Sequence, residues 1–152
     1  MTKKNALSKK EIKEFSIFFE KYQYEVNKKD LIFKVKDEKG IEYLEQSGKI
    51  IFFIINNELI PSFDIVENLN LKKIFIDKNA VKFIYSGADL MKPGIIEIED
   101  GIKKDEIVLI ALKEPFIPVE YGISNFDFEE MKSMDSGKVV RNLKIRKYLS
   151  KD

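Results

Sequence analysis

Residues 87–95 have the sequence Gly87-Ala88-Asp89-Leu90-Met91-Lys92-Pro93-Gly94-Ile95, and they carry the strongest turn signals in the chain. Ser86 and Gly87 follow a segment with apolar residues at helical spacing, and a glycine at this position favours the left-handed conformation that ends a helix. Pro93 and Gly94 stand in the order that a type II turn requires. The stretch therefore predicts a rigid loop that leads from a helix into a strand beginning at Ile95.

The segments on both sides of this loop predict one helix and several short strands. The preceding helix is expected over Lys78–Tyr85, with Asp77 as its N-cap and with Ala80, Phe83 and Ile84 facing inward. Strands are expected at Ile74–Ile76, Ile95–Ile98, Glu106–Leu112, Pro118–Ile123 and Lys138–Ile145, with a short helix at Phe126–Met131. Many short strands in about 75 residues favour a closed or nearly closed β-barrel.

The first part of the chain has a different pattern. Ser8 and Glu11 have capping-box spacing before apolar residues at helical intervals, which predicts a helix over residues 9–23. Strands are expected at Leu31–Lys36, Ile41–Glu45 and Lys49–Ile55, and a short helix from Pro61 to Asn68. The fold class is therefore α+β, with a small N-terminal α/β domain at residues 1–70 and a β-barrel at residues 71–152.

Charge is unevenly distributed although the net charge of the 152 residues is only +1. Residues 1–36 carry ten lysines against five acidic residues, and residues 138–152 carry six basic residues against Asp152 alone. Both arginines, Arg141 and Arg146, lie in this last block. If the fold exposes these basic ends, they form a cationic surface suited to a phosphate backbone; otherwise they only solvate the termini.

Composition excludes several functional classes. The chain has no cysteine and no histidine, so disulfides, thiolate nucleophiles, the usual zinc sites and histidine acid-base chemistry are excluded. Its apolar runs are far shorter than the roughly 20 residues that span a bilayer, and its N-terminus lacks the features of a secretory signal. We therefore expect a cytoplasmic protein with no membrane association, no metal and no cofactor.

The segment Gly87–Ile95 resembles the motif of the PUA domain, named for pseudouridine synthases and archaeosine transglycosylases. In that family a helix ends in Ser-Gly-Ala and a Pro-Gly turn leads into a strand, as Ser86-Gly87-Ala88 and Pro93-Gly94 do here. Tyr121-Gly122 and Gly137-Lys138 are similar to later positions of the family. The resemblance covers residues 72–147 and implies a PUA-type pseudo-β-barrel that binds RNA.

The preceding residues resemble a narrower family. Ile50-Ile51-Phe52-Phe53 and then Ile60-Pro61-Ser62-Phe63 occur in the order found in the malignant T-cell-amplified-sequence translation factors and their archaeal relatives. These proteins join a pre-PUA domain to a C-terminal PUA domain. The resemblance implies binding to structured RNA, ribosomal or transfer RNA, with the small ribosomal subunit or a translation factor as partner. We expect the protein to be a monomer. The implied role lies in initiation or recycling, through the subunit or initiator transfer RNA.

The candidate RNA-binding residues come from the loop and the basic tail. A glycine lets an RNA backbone approach closely, lysine and arginine bind phosphate, and a tyrosine ring can stack on a base. The tail is expected to continue as a strand with Asn142, Lys144 and Arg146 on one face, beside the strand that follows the loop. The candidates are Lys82, Tyr85, Ser86, Gly87, Ala88, Lys92, Pro93, Gly94, Arg141, Lys144 and Arg146.

An enzyme and a protein-interaction adaptor are the two alternative functional classes. Catalysis would need paired carboxylates, and no spacing pairs Asp77, Asp89 and Asp105, so we expect no enzyme. A protein-interaction adaptor, or an RNA-targeting subunit of a ribosome-biogenesis or RNA-modification complex, remains the alternative. Its partner would dock on the acidic middle of the chain or on the strands of the first unit.

Overall fold

A computed structural model describes residues 1–149 and divides them into two compact units. Unit 1 comprises Met1–Asn70 with Tyr148 and Leu149, and unit 2 comprises Leu71–Lys147. The last three residues of the expected second domain, including Lys151 of the basic tail, lie outside the described residues. Each unit has its own sheet, of five strands in unit 1 and six in unit 2. The mixed α+β class is confirmed.

Unit 1 begins with a short strand and a capped helix. Helix α1 spans Lys9–Lys21, and both hydrogen bonds of the predicted capping box are present between Ser8 and Glu11. The helix buries Phe19, whose ring lies 5.4 Å from that of Phe52 on the sheet, measured between centroids. The capping-box prediction is therefore confirmed, and the helix ends two residues earlier than expected.

The sheet of unit 1 is an antiparallel meander in which each strand pairs with the next. Its strands are β1 Lys3–Ala6, β2 Ile32–Lys36, β3 Glu42–Gln46, β4 Lys49–Ile55 and β5 Glu58–Pro61. Strands β1 and β5 were not predicted. The short helix predicted from Pro61 is wrong, because Pro61 ends β5 opposite Phe52 and only a 3₁₀ turn follows at Val66–Asn68. An edge strand tolerates proline because one side of it makes no ladder hydrogen bonds.

Unit 2 contains the remaining strands and three short helices. The strands are β6 Lys73–Ile76, β7 Leu90–Met91, β8 Ile95–Ile98, β9 Ile107–Leu112, β10 Ile117–Ser124 and β11 Lys138–Asn142. The helices are α2 Val81–Tyr85, α3 Phe128–Ser133 and α4 Arg146–Leu149, of which α4 continues past the end of unit 2. A 3₁₀ turn at Lys78–Ala80 precedes α2, and Asp77 caps it by accepting a hydrogen bond from the Asn79 amide.

The strand order shows why the sheet of unit 2 curls into a barrel-like shape. The order is β7-β11-β10-β9-β6-β8, so β7 and β8 are the two edges of the sheet. Only Lys92–Gly94 separates them in sequence, and this connection spans at most about 15 Å. A flat six-stranded sheet would hold its edges about 24 Å apart. The barrel-like curl of the sheet therefore follows from chain connectivity, and apolar side chains such as Ile74, Val108 and Val139 fill its interior.

Strand β11 corrects the prediction for the C-terminal tail. It ends at Asn142 instead of Ile145, because Lys144 has a left-handed φ of 55° that breaks the extended backbone. The expected alternation of side chains through Arg146 is therefore wrong. Strand β11 also pairs with Leu90–Met91, inside the loop, and not with Ile95–Ile98 as expected.

Candidate nucleic-acid interface

The loop after α2 begins with a complete glycine-terminated helix end. The Gly87 amide donates to the Ile84 carbonyl and the Ala88 amide donates to the Phe83 carbonyl, which is the Schellman arrangement. Gly87 has a φ of 99°, as its predicted role requires. The Ser86 hydroxyl also donates to the Phe83 carbonyl, at 2.8 Å. The loop therefore leaves the helix in one defined direction.

Gly94 has a different role from the one predicted. Lys92–Gly94 forms a 3₁₀ turn, and Gly94 does not have the left-handed φ that a type II turn would give it. A side chain at Gly94 would place its Cβ 3.3 Å from the Cβ of Ala80. The type II prediction is wrong, and the glycine serves close packing of the loop against the turn before α2.

Asn142 joins the loop to the C-terminal segment and is 5% exposed. Its side-chain amide donates to the carbonyls of Ile84 and Ala88, both at 2.9 Å. Its Oδ1 accepts a hydrogen bond from the Lys144 amide at 2.7 Å, and its own backbone amide donates to Asp89. One buried side chain thus links the end of α2, the glycine loop and Lys144.

Glu120 fixes the next two residues of the tail. This buried carboxylate accepts hydrogen bonds from the backbone amides of Ile145 and Arg146, at 3.3 and 3.1 Å, and from that of Tyr121 at 2.8 Å. Burial raises the pKa of Glu120, while these amide hydrogen bonds and the nearby Arg146 charge oppose the rise. Glu120 therefore sets the position from which the Arg146 side chain departs.

The Arg146 side chain lies on the ring of Tyr85. Its guanidinium carbon is 3.9 Å from the ring centroid, within the range of a cation–π contact. Its Nε is buried and has no hydrogen-bond partner within residues 1–149. Tyr85 itself is 48% exposed, so the ring predicted as a stacking surface is already covered in part by an arginine of the same unit.

The Lys144 side chain lies across Gly87. A Cβ added to Gly87 would be 3.4 to 3.9 Å from the Lys144 methylene carbons, so this space is occupied by the lysine stem. Lys144 is exposed. We call the group formed by Tyr85, Gly87, Lys144 and Arg146 the glycine-loop surface. Its outermost members, Tyr85 and Arg146, are 61 positions apart in the sequence, and Asn142 and Glu120 bring the group together.

The other basic residues predicted to bind RNA, Lys82, Lys92 and Arg141, are not part of the glycine-loop surface. The Lys92 ammonium donates to the Met134 carbonyl at 2.6 Å, just after α3, so this lysine closes a helix end. Arg141 is exposed on β11 opposite Ile123. Lys82 is exposed on α2, with its ammonium 5.2 Å from the Phe83 ring centroid.

An apolar groove of about 470 Å³ lies beside the loop. Phe83, Leu90, Met91 and Pro93 are among the side chains that line it. Phe83 is 57% exposed, so the prediction that it faces the core is wrong. Pro93 and Ala88 therefore border an apolar surface, while the cationic groups lie on the Gly87 side. Within residues 1–149 no group of acidic side chains is arranged to hold a metal ion.

Comparison with known proteins identifies this fold. The model of the PUA domain matches residues 72–146. An uncharacterized protein of Methanocaldococcus jannaschii is 30% identical over 147 residues, which cover 93% of this chain and 90% of that protein. The chain belongs to the PUA-domain family. Its PUA domain contains the whole glycine-loop surface and both buried anchors, Asn142 and Glu120.

The similarity to relatives and to solved structures extends beyond the PUA domain into unit 1. Translation machinery-associated protein 20 of Schizosaccharomyces pombe is 27% identical over 78% of this chain and 69% of that protein. A conserved PUA-domain protein from Thermoplasma acidophilum has a similar fold, with a TM-score of 0.75 and 24% identity, over 93% of this chain and 92% of that one. An Aeropyrum pernix PUA-domain structure gives a TM-score of 0.79 at 21% identity, over 94% of this chain and 85% of that one.

Sequence reasoning missed Asn142 as an anchor and did not consider Glu120. Both are polar residues at buried positions of strands: Glu120 stands between buried Val119 and Tyr121, and Asn142 lies two residues after buried Val140, on the same face of β11. A buried charge or amide in such a strand needs hydrogen-bond partners, and this is the signal that could have marked them. No helix among the described residues is long and apolar enough to cross a membrane.

Proposed function

We propose that the protein binds structured RNA through the glycine-loop surface of its PUA domain and that it acts in translation. The observation that carries this proposal is the placement of Lys144 and Arg146 by buried hydrogen bonds against Gly87 and Tyr85. Neither cation has an ion pair among the described residues. An arginine held against an aromatic ring keeps its charge, and its remaining N–H groups can still donate to phosphate.

The names of two similar proteins support the proposed role in translation. Translation machinery-associated protein 20 is the name of the similar proteins in fission yeast and in Saccharomyces cerevisiae, where 30% identity covers 74% of this chain and 66% of that protein. We propose the small ribosomal subunit or initiator transfer RNA as the RNA target, in initiation or recycling, with the protein located in the cytoplasm.

The RNA surface is tested by removing both charges without introducing an acid beside Glu120. In the double variant Lys144→Gln with Arg146→Gln we expect weaker binding to an initiator transfer RNA or a small-subunit ribosomal RNA hairpin. Losing about two phosphate contacts should lower the slope of log affinity against log salt by roughly 1.5–2. Fluorescence anisotropy over a salt series measures both quantities.

The matched control removes two other exposed lysines of unit 2, Lys103→Gln with Lys104→Gln. This variant makes the same change in net charge, so an effect of net charge alone would be the same in both variants. Unchanged affinity and slope in the folded Lys144/Arg146 variant, or equal losses in both variants, would refute the assignment of the RNA surface.

The cellular target needs a separate experiment. Ultraviolet crosslinking followed by sequencing of the bound RNA should enrich small-subunit ribosomal RNA or initiator transfer RNA with the native protein. Enrichment should fall with the Lys144/Arg146 variant. Recovery of guide or modification-substrate RNAs instead would favour a subunit of an RNA-modification complex and contradict the role in translation.

A further inference from the structure

Unit 1 has an open groove of about 900 Å³ that the RNA proposal does not use. Helix α1 forms one wall with Ile12, Ser16 and Phe19, and the segment of residues 23–32 forms the other. Buried Leu7 and Ile32 are among its lining residues. The groove lies wholly within unit 1.

The walls of this groove expose apolar side chains to solvent. Leu31 is 64% exposed and Ile12 is 37% exposed, and Phe19, Tyr24 and Val26 complete an apolar lining. Ile12, Ser16 and Phe19 follow one another at spacings of four and three residues, so they lie on one face of α1. An exposed apolar surface of this kind beside polar residues is typical of an interaction site.

The charged residues of the lining have an excess of carboxylates. Glu20 and Glu25 are exposed and have no ion pair among the described residues, whereas Asp30 accepts hydrogen bonds from Asn27 and Ser47. Lys28 is the one basic residue of the lining. Two available carboxylates beside an apolar groove favour a ligand that is apolar on one face and basic at its edge, and they disfavour a phosphate backbone.

We propose that this groove binds a basic amphipathic helix of a protein partner. The part of α1 that lines it runs from Ile12 to Glu20 and is about 12 Å long, which matches about two turns of a bound helix. Apolar residues at positions i, i+4 and i+7 of that helix would pack on Ile12, Phe19 and Leu31. Lysine or arginine residues beside them would pair with Glu20 and Glu25.

The inference is independent of the RNA proposal, because the groove shares no residue with the glycine-loop surface. The probe is a designed, N-acetylated peptide of about 18 residues with leucines on one face and lysines on both sides of it. Two comparison peptides serve as controls. One has the same composition in scrambled order, and the other has glutamates in place of the lysines. Binding to the full chain is followed by ¹⁵N-edited NMR and by anisotropy.

We expect saturable binding of the basic helix, with chemical-shift changes concentrated at residues 12–32. Leu31→Ser should weaken binding about tenfold, and so should Glu20→Lys with Glu25→Lys. The matched controls lie on α1 outside the groove lining: Ile17→Ser, where Ile17 is 66% exposed, and Glu14→Lys. Neither control should change the affinity.

Several outcomes would overturn the inference. These are equal binding of the scrambled or acidic peptide, equal effects of the Leu31 and Ile17 variants, or shift changes concentrated outside Leu7 and residues 12–32. Absence of saturable binding up to about 1 mM peptide would also contradict it. A dimer in sedimentation equilibrium that Leu31→Ser dissociates would assign the groove to a second copy of the chain instead.

Discussion

Replacing Asn142 by alanine should remove the link between the glycine loop and the C-terminal segment of the PUA domain. The backbone hydrogen bond from residue 142 to Asp89 would remain, since alanine keeps the amide. Three side-chain hydrogen bonds would be lost, to the Ile84 and Ala88 carbonyls and from the Lys144 amide. The variant therefore tests one buried side chain with a defined set of partners.

The expected cost follows from what each partner loses. The Ile84 carbonyl still accepts the Gly87 amide, so its loss is small. The Ala88 carbonyl and the Lys144 amide lose the partner that Asn142 supplies. At about 1 kcal/mol for each hydrogen bond, with a further penalty for groups left unpaired, Asn142→Ala should reduce the free energy of unfolding by about 3 kcal/mol.

Urea unfolding followed by circular dichroism measures this cost, and the salt series described above measures RNA affinity. Asn125→Ala is the control, because Asn125 makes one long hydrogen bond of 3.4 Å to the Lys138 carbonyl and should cost less than about 1 kcal/mol. Under conditions where Asn142→Ala is still folded, its RNA affinity should be lower than that of the native protein, because the Lys144 amide loses its hydrogen bond to the Asn142 side chain. A cost equal to that of Asn125→Ala, with unchanged RNA affinity, would refute the role assigned to Asn142.

Three further predictions concern other parts of the fold. Gly122→Ala would put a Cβ 2.3 Å from a Val140 methyl and should lower the free energy of unfolding by at least about 2 kcal/mol, measured by thermal melting. Ser8→Ala removes the cap of α1 and should cost about 1 kcal/mol in urea unfolding, and a cost near zero would contradict the capping box. Burial raises the folded-state pKa of Glu120 above its ordinary 4.5, so its contribution to stability is greatest below that pH and is lost as pH rises through the folded-state pKa. The stability of the native protein relative to Glu120→Gln should therefore fall as pH is raised from about 4 to about 7, and a rising difference would contradict this sign.

Local sequence signals predicted the elements that depend on local interactions. The capping box at Ser8, the N-cap at Asp77 and the left-handed Gly87 all concern hydrogen bonds or dihedral angles within a few residues, and all three are present. The resemblance of Gly87–Ile95 to the PUA motif predicted the PUA-type barrel of unit 2. The match of the PUA model to residues 72–146 confirms that assignment.

The errors occur where tertiary contacts decide the structure. Strand β5 exists because Glu58–Pro61 can pair with Phe52–Ile55 after a two-residue turn at Asn56 and Asn57, both with positive φ, and Pro61 gave a misleading helix signal. Phe83 is an aromatic residue at a helical core spacing, yet it lines an exposed groove. Pairing partners and groove walls are distant in sequence, so periodicity alone could not identify them.

The tail shows how two buried polar residues replace a regular strand. A continued β11 would have satisfied its own backbone by ladder pairing, but the left-handed Lys144 ends that ladder and leaves the amides of residues 144–146 in need of acceptors. Asn142 and Glu120 supply them. Because these acceptors are buried and fixed, the Lys144 and Arg146 side chains leave the backbone in defined directions, across Gly87 and onto Tyr85. The backbone hydrogen bonds that end the strand therefore also position the cationic side chains, and a variant that removes these hydrogen bonds must also disturb the cationic surface.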